Sequence, residues 1–136
     1  MMPYQTKSPL LRGSSWREVY KQAILLYKQV LKKTKRKPYI RSSYFKKQKI
    51  FFDYFWIHLN QKSRKLKTKR LKYFACAIEL IAESHNPPIS KENPNDRGEI
   101  LHRFYGLTKD KNLFYLHIKE ERKTGKKYFM SVFSPS

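Results

Sequence analysis

Residues 100–133 read ILHRFYGLTKDKNLFYLHIKEERKTGKKYFMSVF, and this stretch decides the fold. It contains three runs rich in aromatic and β-branched residues, Ile100–Leu107, Leu113–Glu120 and Lys127–Phe133, separated by short polar segments. Such runs are typical of β-strands, and short polar connections are typical of hairpin loops. The stretch therefore predicts a three-stranded antiparallel meander over residues 99–136.

The two loops predict which residues face each other in this meander. Gly125 occupies the loop position that must adopt a positive φ, and Lys111 occupies the same position in the first loop. With these loops, Arg103 faces His117 and His117 faces Ser131 across three strands. The other predicted pairs are Tyr105 with Tyr115, Tyr115 with Phe133, Lys119 with Phe129, Leu116 with Val132 and Ile118 with Met130.

One face of the predicted sheet carries groups that suit a phosphodiester substrate. Histidine can transfer protons near neutral pH, and arginine or lysine can stabilise developing negative charge. The predicted catalytic residues are His117 as acid–base, Arg103 and Lys119 for the transition state, and Ser131, Tyr105 and Tyr115 for positioning RNA. A polar sheet face without activity is the alternative.

His102 precedes Arg103, so it is expected on the opposite face, towards the helices. A hydrogen-bonded core histidine is the favoured interpretation there. A one-residue slip in the register would exchange His102 with His117.

The charge of the chain is high and unevenly distributed. There are 31 Lys and Arg against 10 Asp and Glu, a net charge of +21. Residues 1–72 hold 21 of these cations and only Glu18 and Asp53, which leaves +19. Such a field predicts a polyanionic partner, RNA in the first place. An acidic inhibitor protein is the other class of partner that this charge allows.

The N-terminal part predicts three helices after an irregular arm over residues 1–13. Ser15 and Glu18 form a capping box before an apolar pattern of helical period, which Pro38 ends. A second helix is expected from Ser42 or Ser43 to about residue 61. Ser63 can cap a third helix, to about residue 84.

These elements predict one α+β domain in which three N-terminal helices pack on a C-terminal three-stranded antiparallel β-meander. Its parts are a basic helical part at residues 14–84, a loop at residues 85–98 and the meander at residues 99–136.

Two basic clusters are predicted to bind nucleic acid. The first forms the predicted end of the first helix, before Pro38, and has five cations in six positions, more than the helix dipole requires. The second lies in the first turns of the third helix, where cations oppose the dipole and a bound polyanion would compensate them. The predicted nucleic-acid-binding residues are Lys32, Lys33, Lys35, Arg36, Lys37, Arg64, Lys65, Lys67, Lys69 and Arg70.

No metal or cofactor is expected. The four histidines and Cys76 lack ligand-like spacing, carboxylates are scarce, and no glycine-rich phosphate loop is present. Cys76 lies in an apolar segment and is expected to be a buried thiol. The N-terminus has no apolar signal segment and no apolar run approaches about 18 residues, so no membrane association and a cytoplasmic location are expected.

The layout resembles the barnase–EndoU–colicin–RelE superfamily of metal-independent RNases, in which polar residues lie on the strands of an antiparallel sheet. The resemblance is carried by ILHRFYG at 100–106, FYLHIKE at 114–120 and YFMSVF at 128–133. It implies an active site on the sheet, RNA as the substrate, and a toxin-like or phage-effector-like role. Arg103, His117, Lys119 and Ser131 match the kinds of residue that the superfamily uses.

The leading hypothesis from the sequence is therefore a metal-independent endoribonuclease. A non-catalytic RNA- or DNA-binding module is the alternative, and it needs only the basic helical part. A protein that docks on an acidic partner is a third hypothesis, and it predicts no binding of nucleic acid at low salt.

Overall fold

Residues 2–135 are described by a computed structural model, so Met1 and Ser136, which end the predicted arm and meander, lie outside the described residues. This part of the chain contains seven strands and four helices, and the helices lie between the strands in sequence. They are β1 (Tyr4–Gln5), α1 (Trp16–Lys32), β2 (Tyr39–Ser42), β3 (Gln48–Phe51), α2 (Phe55–Asn60), α3 (Arg64–Leu71), α4 (Phe74–Glu83), β4 (Ile89–Asn93), β5 (Asp96–Leu107), β6 (Leu113–Glu121) and β7 (Lys127–Phe133).

The strands form one mixed sheet in the order β1-β5-β6-β7-β3-β2, and β4 also pairs with β5. β5, β6 and β7 are antiparallel neighbours, whereas β3 runs parallel to β7 and β1 runs parallel to β5. One face of the sheet packs against the helices. The core there includes Ile50, Phe104, Phe114, Leu116, Ile118, Phe129 and Val132 from strands and Val19, Ala23, Phe55, Leu71, Phe74, Ala77 and Leu80 from helices.

The predicted fold of three N-terminal helices on a three-stranded meander is wrong. Residues 42–61, predicted as one helix, contain the end of β2, the strand β3 and the short helix α2. The turn between β2 and β3 places Lys46 and Lys47 at positive φ, 55° and 67°. No glycine, asparagine or proline marks this turn, and the aromatic residues that follow fit a helical period by chance. The sequence of this hairpin therefore contains no clear local signal for a turn.

Two further segments differ from the prediction. The predicted loop at residues 85–98 contains β4, an exposed edge strand that lacks apolar alternation and pairs with β5. The described part of the predicted arm, residues 2–13, is held in place, because β1 joins the sheet and Glu79 accepts hydrogen bonds from the backbone N–H groups of Lys7 and Ser8. Both segments depend on contacts with residues far away in sequence.

Several local predictions are confirmed. Ser15 and Glu18 form the capping box of α1, and the Ser63 side chain caps the predicted third helix at its start. That third helix is divided into α3 and α4 around Lys72 and Tyr73. The first loop of the meander has its predicted three residues, with Lys111 at φ 64°. The second loop has Gly125 at φ 75°, but its predicted three-residue type is wrong: Glu121, not Arg122, faces Lys126, so this loop has four residues.

Gly106 provides a test of the packing between β5 and β6. It lies opposite Phe114, whose ring is fully buried, and a methyl group at this glycine would overlap the ring. We expect Gly106→Ala to lower the free energy of unfolding by about 2 kcal/mol, because the core must shift to admit it. Urea denaturation measures the change. The additional substitution Phe114→Leu should recover part of the loss, and full stability in Gly106→Ala alone would contradict this packing.

Candidate nucleic-acid interface

The face of the sheet opposite the helices brings together the six residues predicted as catalytic. Arg103 pairs with His117, and His117 pairs with Ser131, as predicted. Tyr105 pairs with Tyr115, and Tyr115 pairs with Phe133 on the same face. Lys119 follows on β6, two positions beyond His117. All of these side chains are partly exposed, and we call this surface the open face.

A β-bulge changes the pairing beyond His117. Ile118 pairs with Phe129 and Lys119 pairs with Tyr128, so Met130 is the extra residue. The predicted pairs of Ile118 with Met130 and of Lys119 with Phe129 are wrong for this reason. The bulge turns Phe129 into the core, where its ring stacks on Phe55 with centroids 4.3 Å apart, and it brings Tyr128 beside Lys119.

His117 is held by Arg103 as a hydrogen-bond acceptor. Arg103 Nε donates to His117 Nε2 over 2.9 Å, so the neutral ring carries its proton on Nδ1. Burial, together with the positive charges of Arg103 and Arg70, lowers the pKa of His117 from 6.5 to about 4. The imidazole is therefore neutral near pH 7, and its Nε2 atom, which faces Arg103, carries no proton.

Among the described residues, Lys119 forms an ion pair with a carboxylate, whereas Arg103 does not. Its ammonium group lies 3.1 Å from Glu99 Oε2 and 4.1 Å from the centre of the Tyr54 ring. The same ammonium group lies 5.5 Å from the centre of the Tyr128 ring, which packs edge to face with the Tyr54 ring at a centroid distance of 4.9 Å. Burial and a hydrogen bond to Glu121 raise the pKa of Tyr128, so its phenol stays protonated.

Aromatic rings extend in two groups across five strands of the open face. Consecutive ring centroids lie 4.9–6.0 Å apart within each group. The first group is Tyr105, Tyr115 and Phe133, and the second is Tyr39, Phe51, Tyr128 and Tyr54. Rings that are half exposed on a flat surface can stack with nucleic-acid bases.

Cations lie over many of these rings. The Arg103 guanidinium carbon is 4.7 Å from the centre of the Tyr115 ring, and that of Arg70 is 5.0 Å from the centre of the Phe133 ring. At the other end of the face, Lys49 and Arg41 lie 4.7 Å and 5.4 Å from the centre of the Tyr39 ring. We call the two groups of rings and their cations the aromatic–cation row. It combines stacking surfaces with positive charge.

The first basic cluster adjoins this row. A cleft of about 640 Å³ is lined by Lys33, Lys35, Arg36, Lys37, Tyr39, Lys49 and Phe51. Lys37 also forms an ion pair with Asp53, whereas Lys32 lies at the end of α1 and does not line the cleft. The cleft therefore joins the basic cluster to the aromatic–cation row at Tyr39 and Phe51.

The second basic cluster is divided between two surfaces. Arg64, Lys65 and Lys69 line a groove beside the start of α1, and Lys67 lies over the Trp16 ring at 4.2 Å. Arg70 instead reaches the open face. Its position on a largely exposed helix gave no sequence signal for this contact.

The sequence prediction missed part of the row. Tyr39, Arg41, Lys49 and Phe51 were assigned to no site, although residues 39–42 and 48–51 alternate between open-face and core side chains. Each strand has only four residues, too few for this alternation to be recognised in the sequence.

His102 points to the other face, as predicted. Its imidazole is buried against Phe45, with Ser90 Oγ 2.6 Å from Nδ1 and Glu120 Oε1 2.8 Å from Nε2. Lys127 Nζ lies 3.7 Å from the same Glu120 oxygen. This network gives the buried polar groups hydrogen-bond partners, and it links the strands β4, β5, β6 and β7.

Within residues 2–135, no group of three or more His, Cys, Asp and Glu side chains could hold a metal ion. Cys76 is a buried thiol, and burial raises its pKa. None of the helices in this range is both long and apolar enough to cross a membrane.

Comparisons with known proteins give no relative: no family model, no curated protein and no solved structure matches this chain. The resemblance to metal-independent RNases therefore stays a prediction from the sequence.

The lowered pKa of His117 predicts an acid-sensitive stability. The unfolded imidazole binds a proton near pH 6.5, whereas the folded one resists protonation down to about pH 4. Stability should therefore fall as the pH drops through this window, by about 2 kcal/mol between pH 7 and pH 4.5 after allowance for partial solvent exposure. Urea unfolding at both pH values measures it.

The matched variants are His117→Gln and His85→Gln. Glutamine at position 117 can still accept from Arg103 but cannot titrate, so this variant should lose about 2 kcal/mol less on acidification than the parent. His85 is exposed, and its variant should behave as the parent does. Equal acid sensitivity in all three proteins would contradict the environment described for His117.

Proposed function

We propose that this protein binds single-stranded nucleic acid, with RNA as the first candidate, on the open face of its sheet. The aromatic–cation row carries the proposal. All of its rings except the buried Tyr128 are partly exposed, and its cations lie beside them. Bases and phosphates could therefore be contacted at neighbouring positions.

The chemistry favours a single strand over a duplex. Stacking requires bases whose faces are free, and each base stacked on an aromatic side chain contributes about 1–3 kcal/mol. The basic cleft beside Tyr39 would continue the path of the backbone through contacts that do not depend on sequence. A duplex offers only its phosphates to such a surface, and it would bind through charge alone.

Metal-independent cleavage of RNA is the second candidate, because Arg103, His117 and Ser131 lie in line at the centre of the same face. Arg103 could stabilise negative charge on a phosphate there. The only lone pair of the neutral His117 ring accepts from Arg103, so the ring would have to leave Arg103 before it could act as a general base, which favours binding over cleavage. We place this activity in the cytoplasm, as the sequence led us to expect, and an acidic inhibitor protein would compete for the same cations.

Alanine at two positions of the row tests the proposal. We expect Tyr39→Ala and Tyr115→Ala each to weaken binding of a labelled single-stranded RNA by about fivefold or more, because each removes one stacking surface. Fluorescence anisotropy with single-stranded RNA, single-stranded DNA and duplex RNA of one sequence measures the affinities. The same mixtures, kept with EDTA and run on a gel, show whether RNA is cut.

Tyr20→Ala is the control, because Tyr20 is an exposed ring on α1 away from the open face. Its affinity should match that of the parent protein. Equal affinity for single strands and duplex, with no effect of Tyr39→Ala or Tyr115→Ala, would show that charge alone drives binding. Cleavage that resists EDTA and is lost in His117→Ala would favour the second candidate.

A further inference from the structure

Within residues 2–135, the Nε–H group of Arg70 has no hydrogen-bond acceptor. Its side chain is partly buried, and its Nε is fully enclosed without a hydrogen-bond partner. The guanidinium lies against the ring of Phe133 on the open face. Buried donors in folded proteins nearly always have a partner, and one left unpaired costs stability. The enclosed Nε cannot contact a ligand directly, but an anion bound beside the guanidinium would compensate part of the cost through its charge.

Arg103 lies close to the same ring. Its guanidinium carbon is 5.9 Å from the centre of the Phe133 ring, and its Nε is used by His117. Within residues 2–135, neither arginine forms an ion pair, whereas nearby Lys119 is paired with Glu99. Two partly buried guanidiniums near one ring, without an acid, leave about two positive charges uncompensated.

A pocket adjoins Arg103 on the side of β4. It has a volume of about 280 Å³, near the lower limit of ligand pockets. Its polar lining is Lys91, Glu92, His102, Arg103 and His117, and its apolar and aromatic surface comes mainly from Ile89, Leu101 and Tyr105. The Glu92 carboxylate is paired with Arg122. This size suits a single nucleotide and is too small for several.

We propose that Arg70, Arg103 and the adjoining pocket form a subsite for a phosphorylated end of a nucleic-acid strand. A terminal phosphate monoester carries about −1.5 to −2 charges near pH 7 and offers three oxygen acceptors, which matches two guanidiniums. An internal phosphodiester carries one negative charge and would leave one arginine uncompensated. The terminal nucleoside would occupy the pocket. This inference rests on the proposed function and adds a preference for one kind of strand end.

Three oligonucleotides of identical sequence test the subsite: one with a 5′-phosphate, one with a 3′-phosphate, and one with hydroxyl groups at both ends. We expect one phosphorylated form to bind about tenfold more tightly than the hydroxyl form, as added charge-assisted hydrogen bonds predict. The form that gains affinity identifies the end. Arg70→Met and Arg103→Met should each abolish the gain. The hydroxyl form should lose less affinity, because the rings of the aromatic–cation row and its other cations, Arg41 and Lys49, remain.

Arg64→Met is the matched control, because Arg64 lies on the same helix but lines the groove beside α1. It should keep the preference for the phosphorylated end. Equal affinity of the parent protein for all three oligonucleotides would overturn the subsite. Equal weakening of all three by Arg70→Met would also overturn it, because the arginine would then contact an internal phosphate. Failure of every oligonucleotide to bind would instead overturn the proposed function.

Thermal unfolding separates a binding role of Arg70 from a structural one. Arg70→Met keeps an apolar stem and removes the enclosed Nε, so the free variant should melt at the same temperature as the parent or higher. The preferred oligonucleotide should raise the melting temperature of the parent more than that of the variant. A lower melting temperature of the free variant, with an unchanged preference for the phosphorylated end, would overturn the assignment of Arg70.

Discussion

The structure depends on the alternation of side chains along β6. Phe114, Leu116 and Ile118 are buried under the helices, so the residues between them must point the other way. Because β6 is paired on both sides, the same constraint passes to β5 and β7 through the register. The core and the open face are therefore two consequences of one hydrophobic pattern.

The β-bulge beyond His117 modifies this constraint at one position. Before the bulge, Ser131 and Phe133 share a face with His117 and Tyr115, and after it Tyr128 joins Lys119. Without the extra residue, Tyr128 would face the core and Phe129 would face solvent. The bulge thus places Tyr128 of β7 in the second group of rings, and it allows the Phe129 ring to stack on Phe55 in the core.

The electrostatics follow from the shortage of acids. With a net charge of +21, most cations cannot find a carboxylate, and several on the open face lie over aromatic rings instead. Such contacts are weaker than a buried ion pair and leave the charge available to a ligand. The energetic cost is largest for Arg70 and Arg103, because their side chains are also partly buried. A polyanion would relieve this cost, which links the charge of the chain to the surface that displays it.

The sequence by itself determined the meander and the central row of its open face. Period-two alternation and the first loop are local properties, so Arg103 and His117 could be aligned from the chain alone. Ser131 lies opposite His117 as predicted because the bulge at Met130 offsets the additional residue of the second loop. The capping box of α1 was predictable for the same reason, since all its hydrogen bonds lie within one turn.

Only the tertiary structure decided the rest. The β2–β3 hairpin turns at two lysines without a turn signal, β4 is a strand because β5 offers it an edge, and Arg70 reaches the open face because α3 contacts β7. Each of these features is stabilised by partners far away in the chain. Local propensity does not contain that information, because the free energy that selects the conformation comes from packing and pairing between distant segments.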